Sequence, residues 1–184
     1  MKKITFVLTF LAVLNLNAKN CLADSYKYVP YAGFGYDYSK TQIGQVRPAY
    51  HSGTVYIGSE YGSYFSTEMF FSQSLNRTNG QNPTKLKSSY RAYGLDLMGY
   101  LPLGCSQKFS LLATTGIGEY AFKLKTGDAK RSNEHGYGYR FGGGVKYALN
   151  THWQTRFITR YVKFDRVDSV NQAIEYSLNL EYHF

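Results

Sequence analysis

The 184-residue sequence predicts an all-β fold: eight antiparallel strands running up and down around a closed transmembrane β-barrel. Three observations predict it. Segments of about ten residues alternate large apolar side chains with small or polar ones, and the connections between them are alternately short and long. No mature segment carries the run of about 18 apolar residues that a membrane-crossing helix needs. Composition agrees, with 19 Tyr, 12 Phe and 18 Gly but only 4 Pro, which suits strands better than helices.

In the first strand, YVPYAGFGYDY, Tyr28, Ala32, Phe34, Tyr36 and Tyr38 share one face, opposite Gly33, Gly35 and Asp37. The second, GTVYIGSEYG, sets Val55, Ile57 and Tyr61 against Tyr56, Gly58 and Glu60. A tight turn at Gly62 and Ser63 leads into FSTEMFFSQSL, where Phe65, Met69, Phe71 and Leu75 oppose Glu68, Phe70, Ser72 and Ser74. YRAYGLDLMGYL divides into Tyr93, Leu95, Leu97 and Leu101 against Gly94, Asp96 and Met98. FSLLATTGIGEYAF alternates poorly, with Leu111, Ala113 and Ile117 opposite Gly116 and Gly118. The sixth strand, GYGYRFGGGVKYAL, is the clearest: Tyr137, Tyr139, Phe141, Val145, Tyr147 and Leu149 oppose Gly138, Arg140, Gly142, Gly144 and Lys146. WQTRFITRYVKF sets Trp153, Phe157 and Tyr161 against Gln154, Arg156 and Arg160. The chain closes on YSLNLEYHF, with Tyr176, Leu178, Leu180, Tyr182 and Phe184 alternating with polar residues. Connections near 62–64, 102–107 and 149–151 read as short, and those at 40–52, 77–88, 123–135 and 165–172 as longer and polar.

Ahead of the strands, MKKITFVLTFLAVLNLNAKNCLA carries two lysines and a mainly apolar run from Ile4 to Leu14. That run is shorter than the ~20 residues a spanning helix requires, so residues 1–23 read as a signal peptide cut after Ala23, and 24–184 as the barrel domain. Cleavage would remove Lys2, Lys3 and Lys19 and lower the net charge from +9 to +6. Cys105 would then be the lone cysteine, without an internal disulfide partner, and reads as a turn residue.

Two media could explain the alternation. In a soluble sandwich or lipocalin-like barrel the apolar face is the core, and periodicity alone does not separate that arrangement from an inverted one. Here the polar face is rich in glycine and the tyrosines gather at strand ends. Both features fit a membrane barrel, with apolar residues toward lipid and polar residues in the lumen.

The chain end resembles the terminal assembly signal of bacterial outer-membrane proteins, a final Phe preceded by apolar residues at alternate positions; Phe184, Tyr182, Leu180, Leu178 and Tyr176 match it. Together with the leader and the stretches YIGSEYGSYFSTEMFFSQS and LLATTGIGEYAF, it makes residues 26–184 similar to the small eight-stranded barrels of Gram-negative outer membranes. That family includes the OmpA membrane domain, OmpX and Ail, and the opacity-type surface proteins. The resemblance implies an outer-membrane location, with outer-membrane lipid, lipopolysaccharide and the barrel assembly machinery as partners. It does not select one activity, because the family spans anchoring, adhesion, immune evasion and lipid chemistry.

Within the lumen, Glu60, Glu68, Asp96, Glu175 and Glu181 face Arg140, Lys146, Arg156 and Arg160, a set expected to pair because isolated charges are costly in a low-dielectric interior. Eight strands enclose just enough room for side chains, which argues against an open ion path. The glycines leave space for bulky neighbours and form no nucleotide loop, since no helix follows them. Of the histidines, His51 and His135 belong to the loop side and His152 and His183 to the short-turn side. Glu134 and Ser132 lie near His135 in sequence, yet neighbouring strand residues point to opposite faces, so no catalytic set emerges. No metal-ligand spacing is present and no cofactor is expected.

Over the four longer connections, ten cations face four acids, a net of +6 that equals the whole charge expected after cleavage. This basic rim, with Lys85, Lys87, Lys130 and Arg131 as its ligand-binding residues, points to adhesion or binding of anionic surface ligands, including host ligands, and not to nucleic acid. The alternatives are a structural membrane component with a narrow pore or none, and a lipid A-modifying enzyme.

The terminal pattern makes a direct prediction. Phe184→Asp should sharply reduce the amount of assembled protein in outer-membrane fractions, whereas replacing the lumen-facing His183 should reduce it far less. Equal surface levels for Phe184→Asp and the parent would show that the terminal Phe carries no assembly information.

Overall fold

The computed structural model describes residues 28–42, 49–75, 77–79, 86–104, 108–126, 130–165 and 170–184, and of 42, 77–79, 86–88, 124–126 and 130–133 the backbone path alone. Residues 1–23, Cys105 and Lys85 lie outside the described residues, and so do the side chains of Lys87, Lys130 and Arg131.

The strands are β1 (Tyr28–Gln42), β2 (Ala49–Tyr61), β3 (Phe65–Ser74), β4 (Arg77–Asn79), β5 (Leu86–Leu103), β6 (Phe109–Thr126), β7 (Lys130–Ala148), β8 (Trp153–Asp165) and β9 (Gln172–His183). Each pairs antiparallel with its neighbour; β9 returns to β1, and β3 pairs with β5 to close the sheet. The three-residue β4 lies beyond β3 against the same strand β5. Together they make one stave, and the barrel has eight.

The pairing register fixes its shape. Crossing the ladders from Tyr38, the partners run Tyr176, Thr159, Gly143, Ala113, Gly99, Phe65, Tyr61 and Tyr28, back on β1. One circuit therefore displaces the chain from residue 38 to residue 28, a shear of 10. With eight staves at standard spacings, that tilts the strands by about 40° and gives a rise along the barrel axis of about 2.5 Å per residue.

Alternation then distributes the side chains. Phe34, Val55, Ile57, Met69, Leu95, Phe141, Phe157 and Leu178 are all exposed on the outer surface, while Asp37, Glu68, Asp96, Arg140, Arg156 and Glu175 are buried inside. Two aromatic girdles bound the apolar band: Tyr28, Tyr61, Phe65, Tyr147, Trp153 and Tyr182 at the short-turn end, and Tyr36, Tyr38, Tyr93, Tyr139, Tyr161 and Tyr176 at the other. They lie about 20 Å apart along the axis, close to the ~25 Å band of an outer-membrane barrel. The uneven alternation of β6 has a visible cause: Leu112 and Phe122 point into the lumen although apolar, and Glu119 points outward although charged.

The ladders extend further at the loop end than the composition suggests. Lys123 pairs with Asn133 and Lys125 with Arg131, so within the segment 123–135, expected to be a loop, residues 123–126 and 130–135 are strand. Lys40, Arg77, Lys87 and Asp165 likewise belong to strands. Charged residues do not interrupt a strand whose two faces are both in water, so polarity alone marks where the membrane ends and not where the strand does.

Glycines make room for rings on the inner wall. Tyr31 pairs with Gly58 and Gly33 with Tyr56, so tyrosine and glycine exchange places between β1 and β2. The two rings meet edge to face at 6.3 Å, and a methyl group at Gly58 would lie 2.6 Å from the Tyr31 ring. At the first short turn Gly62 has φ of 64°, a conformation that residues with a Cβ rarely adopt.

Replacing Gly58 with Val should expel the Tyr31 ring from its seat and destabilise the barrel by about 1–3 kcal/mol, the usual cost of overpacking. The check is the temperature at which the compact, fast-migrating gel form is lost; an unchanged temperature would show that the wall tolerates the added methyls.

Candidate functional site

The lumen divides into tiers. Nearest the short turns, Lys146 Nζ on β7 donates to Glu60 Oε1 on β2 at 2.7 Å. Arg156 on β8 reaches Glu68 Oε2 on β3 at 2.5 Å through Nη2 and Glu181 Oε2 on β9 at 3.0 Å through Nε. In barrel order β2 and β7 lie on opposite walls, as do β3 and β8, so Lys146–Glu60 and Arg156–Glu68 cross the full lumen, whereas Arg156–Glu181 joins the adjacent β8 and β9. Tyr31 donates its hydroxyl to Glu68 Oε2 at 3.1 Å, and the Arg156 guanidinium lies 4.7 Å from the centre of the Tyr56 ring.

In the middle tier, Asp96 on β5 lies between two arginines, 3.6 Å from Arg140 Nη2 and 3.3 Å from Arg160 Nη2. Arg140 also contacts Glu175 Oε2 at 3.3 Å and sits over the Phe70 ring at 3.7 Å; Arg160 Nη1 donates to Ser177 Oγ at 2.9 Å. Asp37, a further inward acid, accepts a hydrogen bond from Thr54 Oγ1. Toward the loop end, Tyr50, Tyr90, Tyr120, Phe122, Phe164 and Val162 pack into one buried apolar cluster. The lumen is thus filled by ion pairs below and aromatic rings above.

Folding also creates a group that spacing does not reveal. Glu60, Glu181 and His183 bring their ligand atoms within 4.8 Å of one another, although Glu60 is remote from the other two in sequence. His183 lies 3.3 Å from Glu181 Oε1 and 3.9 Å from Glu60 Oε2 and stacks on Tyr31. Each carboxylate already holds Lys146 or Arg156, which puts positive charge where a metal ion would sit. The arrangement is better suited to closing the lower lumen than to coordinating a metal.

The terminal residues Tyr176, Leu178, Leu180, Tyr182 and Phe184 lie along the outward side of β9 and just past it; β9 joins β8 to β1, and Phe184 N donates to Pro30 O at 3.1 Å. On the outer surface near the loop end, His51 hydrogen-bonds Tyr36, and Glu119 accepts from Tyr93 and lies 3.8 Å from His135. Both histidines are strand residues and not loop residues. The acid beside His135 is Glu119 on the neighbouring strand and not the sequence-adjacent Glu134. Of the proposed ligand-binding lysines and arginine, Lys87, Lys130 and Arg131 belong to strand ends.

Arg156 offers the sharpest test of the lumen. Arg156→Met should destabilise the barrel by about 3–5 kcal/mol, because Glu68 and Glu181 would be left as buried charges without their partner. Adding Glu68→Gln and Glu181→Gln should restore much of the loss. The checks are unfolding free energies of the refolded proteins in lipid; a single variant as stable as the parent would mean that the pair contributes nothing.

The match to known proteins follows the geometry. Residues 6–184 fit the family model for the outer membrane protein beta-barrel domain, whereas no curated protein matches the sequence. Among solved structures, the attachment invasion locus protein Ail of Yersinia pestis, in complex with the heparin analogue sucrose octasulfate, is similar with a TM-score of 0.62 at 13% identity, over 86% of this chain and 99% of that one. Neisserial surface protein A has a TM-score of 0.65 at 12% identity over 88% and 100%. The N-terminal barrel domain of Pseudomonas aeruginosa OprF has 0.55 at 8% identity over 84% and 97%. These likenesses concern the fold, while the family match spans nearly the entire sequence: the chain belongs to the outer membrane protein beta-barrel domain family.

Proposed function

We propose that the protein is a non-catalytic surface barrel of the outer membrane whose basic loop end binds anionic polymers or lipopolysaccharide. The observation that carries this reading is the charge distribution: over 40–52, 77–88, 123–135 and 165–172 ten cations face four acids. Such a concentration on one rim attracts phosphate or sulfate groups. Ail, similar in fold, has been crystallised with a heparin analogue, which supports polysulfated ligands as the class to test first. The filled lumen supports binding at the rim over conduction through the barrel. In this reading residues 1–23 direct export and are removed, and the terminal strand is recognised by the assembly machinery.

Neutralising Lys85, Lys87, Lys130 and Arg131 together should weaken binding to immobilised heparin or lipopolysaccharide while leaving barrel assembly unchanged. Binding by the parent should also fall as salt rises, since the Debye length is about 8 Å at physiological ionic strength. Binding that survives both the substitutions and high salt would overturn the electrostatic reading.

A further inference from the structure

The outer girdle shows a pattern that the loops do not explain. On three strands the next outward residue beyond a girdle tyrosine, toward the loop end, is a cation: Lys40 beyond Tyr38 on β1, Arg91 beyond Tyr93 on β5, and Lys163 beyond Tyr161 on β8. All three are exposed on the outside of the wall. Girdle tyrosines mark the boundary between hydrocarbon and headgroups, and two residues of rise lift each cation about 5 Å above it, the level of lipid phosphates.

These cations differ from those inside. Each lumenal cation, Arg140, Lys146, Arg156 and Arg160, has a carboxylate within ion-pair distance. Among the described residues, Lys40, Arg91 and Lys163 have none. Lys40 lies 5.7 Å from the centre of the Tyr38 ring, and Arg91 Nε donates to Gln73 Oε1 at 2.5 Å, so two of them are held in place by neutral neighbours. Among the described residues, the outward acids of this zone are Glu119, which is engaged by Tyr93 and His135, and Asp165. An interior that neutralises each cation beside an exterior tier that leaves three without a carboxylate points to an anion supplied by the membrane.

We propose that Lys40 and Lys163 form an outward-facing site for the phosphate groups of an outer-leaflet lipid, while Arg91, on the opposite wall, faces a different lipid. The two lysines flank β9: Tyr161 pairs with Ile174, which pairs with Lys40, and Lys163 pairs with Gln172. Two strand spacings across and two residues along the strand put their backbones about 12 Å apart, a gap that one phosphorylated glycolipid headgroup can bridge. Below them lie the rings of Tyr38 and Tyr176, stacked at 6.4 Å, and of Tyr161, whose hydroxyl donates to Gln172 Oε1 at 2.8 Å, beside the sugar and acyl junction of such a lipid. The site lies on the barrel wall and does not depend on the rim residues Lys85, Lys87, Lys130 and Arg131.

The test uses the full barrel in phosphatidylcholine nanodiscs, with phosphorylated lipid A and dephosphorylated lipid A of identical acyl chains as probes, and native mass spectrometry as the readout. The parent should bind the phosphorylated form more tightly. K40Q/K163Q should weaken that binding about 25-fold, at about fivefold per cation near a charged surface, and abolish the preference for phosphate. K40R/K163R should retain it, and both variants should show the parent's heat-shifted gel mobility. The quadruple rim variant should keep the lipid preference while losing heparin binding, and K40Q/K163Q should keep heparin binding. A phosphate preference that persists in K40Q/K163Q, or one lost only in the rim variant, would overturn the site, whereas heparin binding retained by the rim variant would instead count against the loop function.

Discussion

The constraint from which the rest follows is that a backbone inside hydrocarbon has no water to bond. Every amide and carbonyl must be paired within the protein, so a sheet entering lipid has to close. Closure here is made by two ladders, β1 to β9 and β3 to β5. The first joins the start of the described chain to its end, which explains why the terminal strand is a full stave ending beside Pro30 and not a trailing tail. Once eight staves close with a shear of 10, the diameter is set, and so is the space that side chains must fill.

That narrow lumen determines how its charge is managed. Opposite walls are close enough for Lys146 to reach Glu60 and for Arg156 to reach Glu68, so one side chain can join strands that share no ladder. These pairs resemble cross-braces: they offset the cost of removing charge from water and make any change of shear or stave number expensive. The outer half is braced differently, by rings from β2, β5, β6 and β8. Outside, among the described residues, Lys40, Arg91 and Lys163 have no carboxylate within ion-pair distance, in contrast to the paired cations of the lumen.

Much of this was legible in the sequence. A period of two is a local property, so the inward or outward direction of Asp96, Arg140, Phe157 and Leu178 follows from the order of residues along one strand. Pairing was less legible. That Arg156 lies between Glu68 and Glu181, or that Glu60, Glu181 and His183 meet, depends on strand register, on tilt and on contacts across the lumen, none of which a single strand encodes. Asp37 falls by alternation on the polar, glycine-rich face of its strand, but its partner Thr54 on β2 follows only from the folded contact. The ends of β6 and β7 depart from the loop that their polarity predicts for a physical reason: lysine and arginine signal water, and water is compatible with a paired ribbon as well as with a loop.

The central claim is that alternate residues of each strand face lipid and lumen across a closed wall. Depth-dependent quenching by brominated lipids tests it most directly. The sequence has one tryptophan, Trp153, in the girdle at the short-turn end. In proteins lacking it, a single tryptophan at Phe157 should be quenched most strongly by bromines placed deep in the acyl chains, while one at the adjacent Ile158, buried in the lumen, should be insensitive to bromine at any depth. Equal quenching at both positions, or none at either, would contradict the barrel's placement in the membrane.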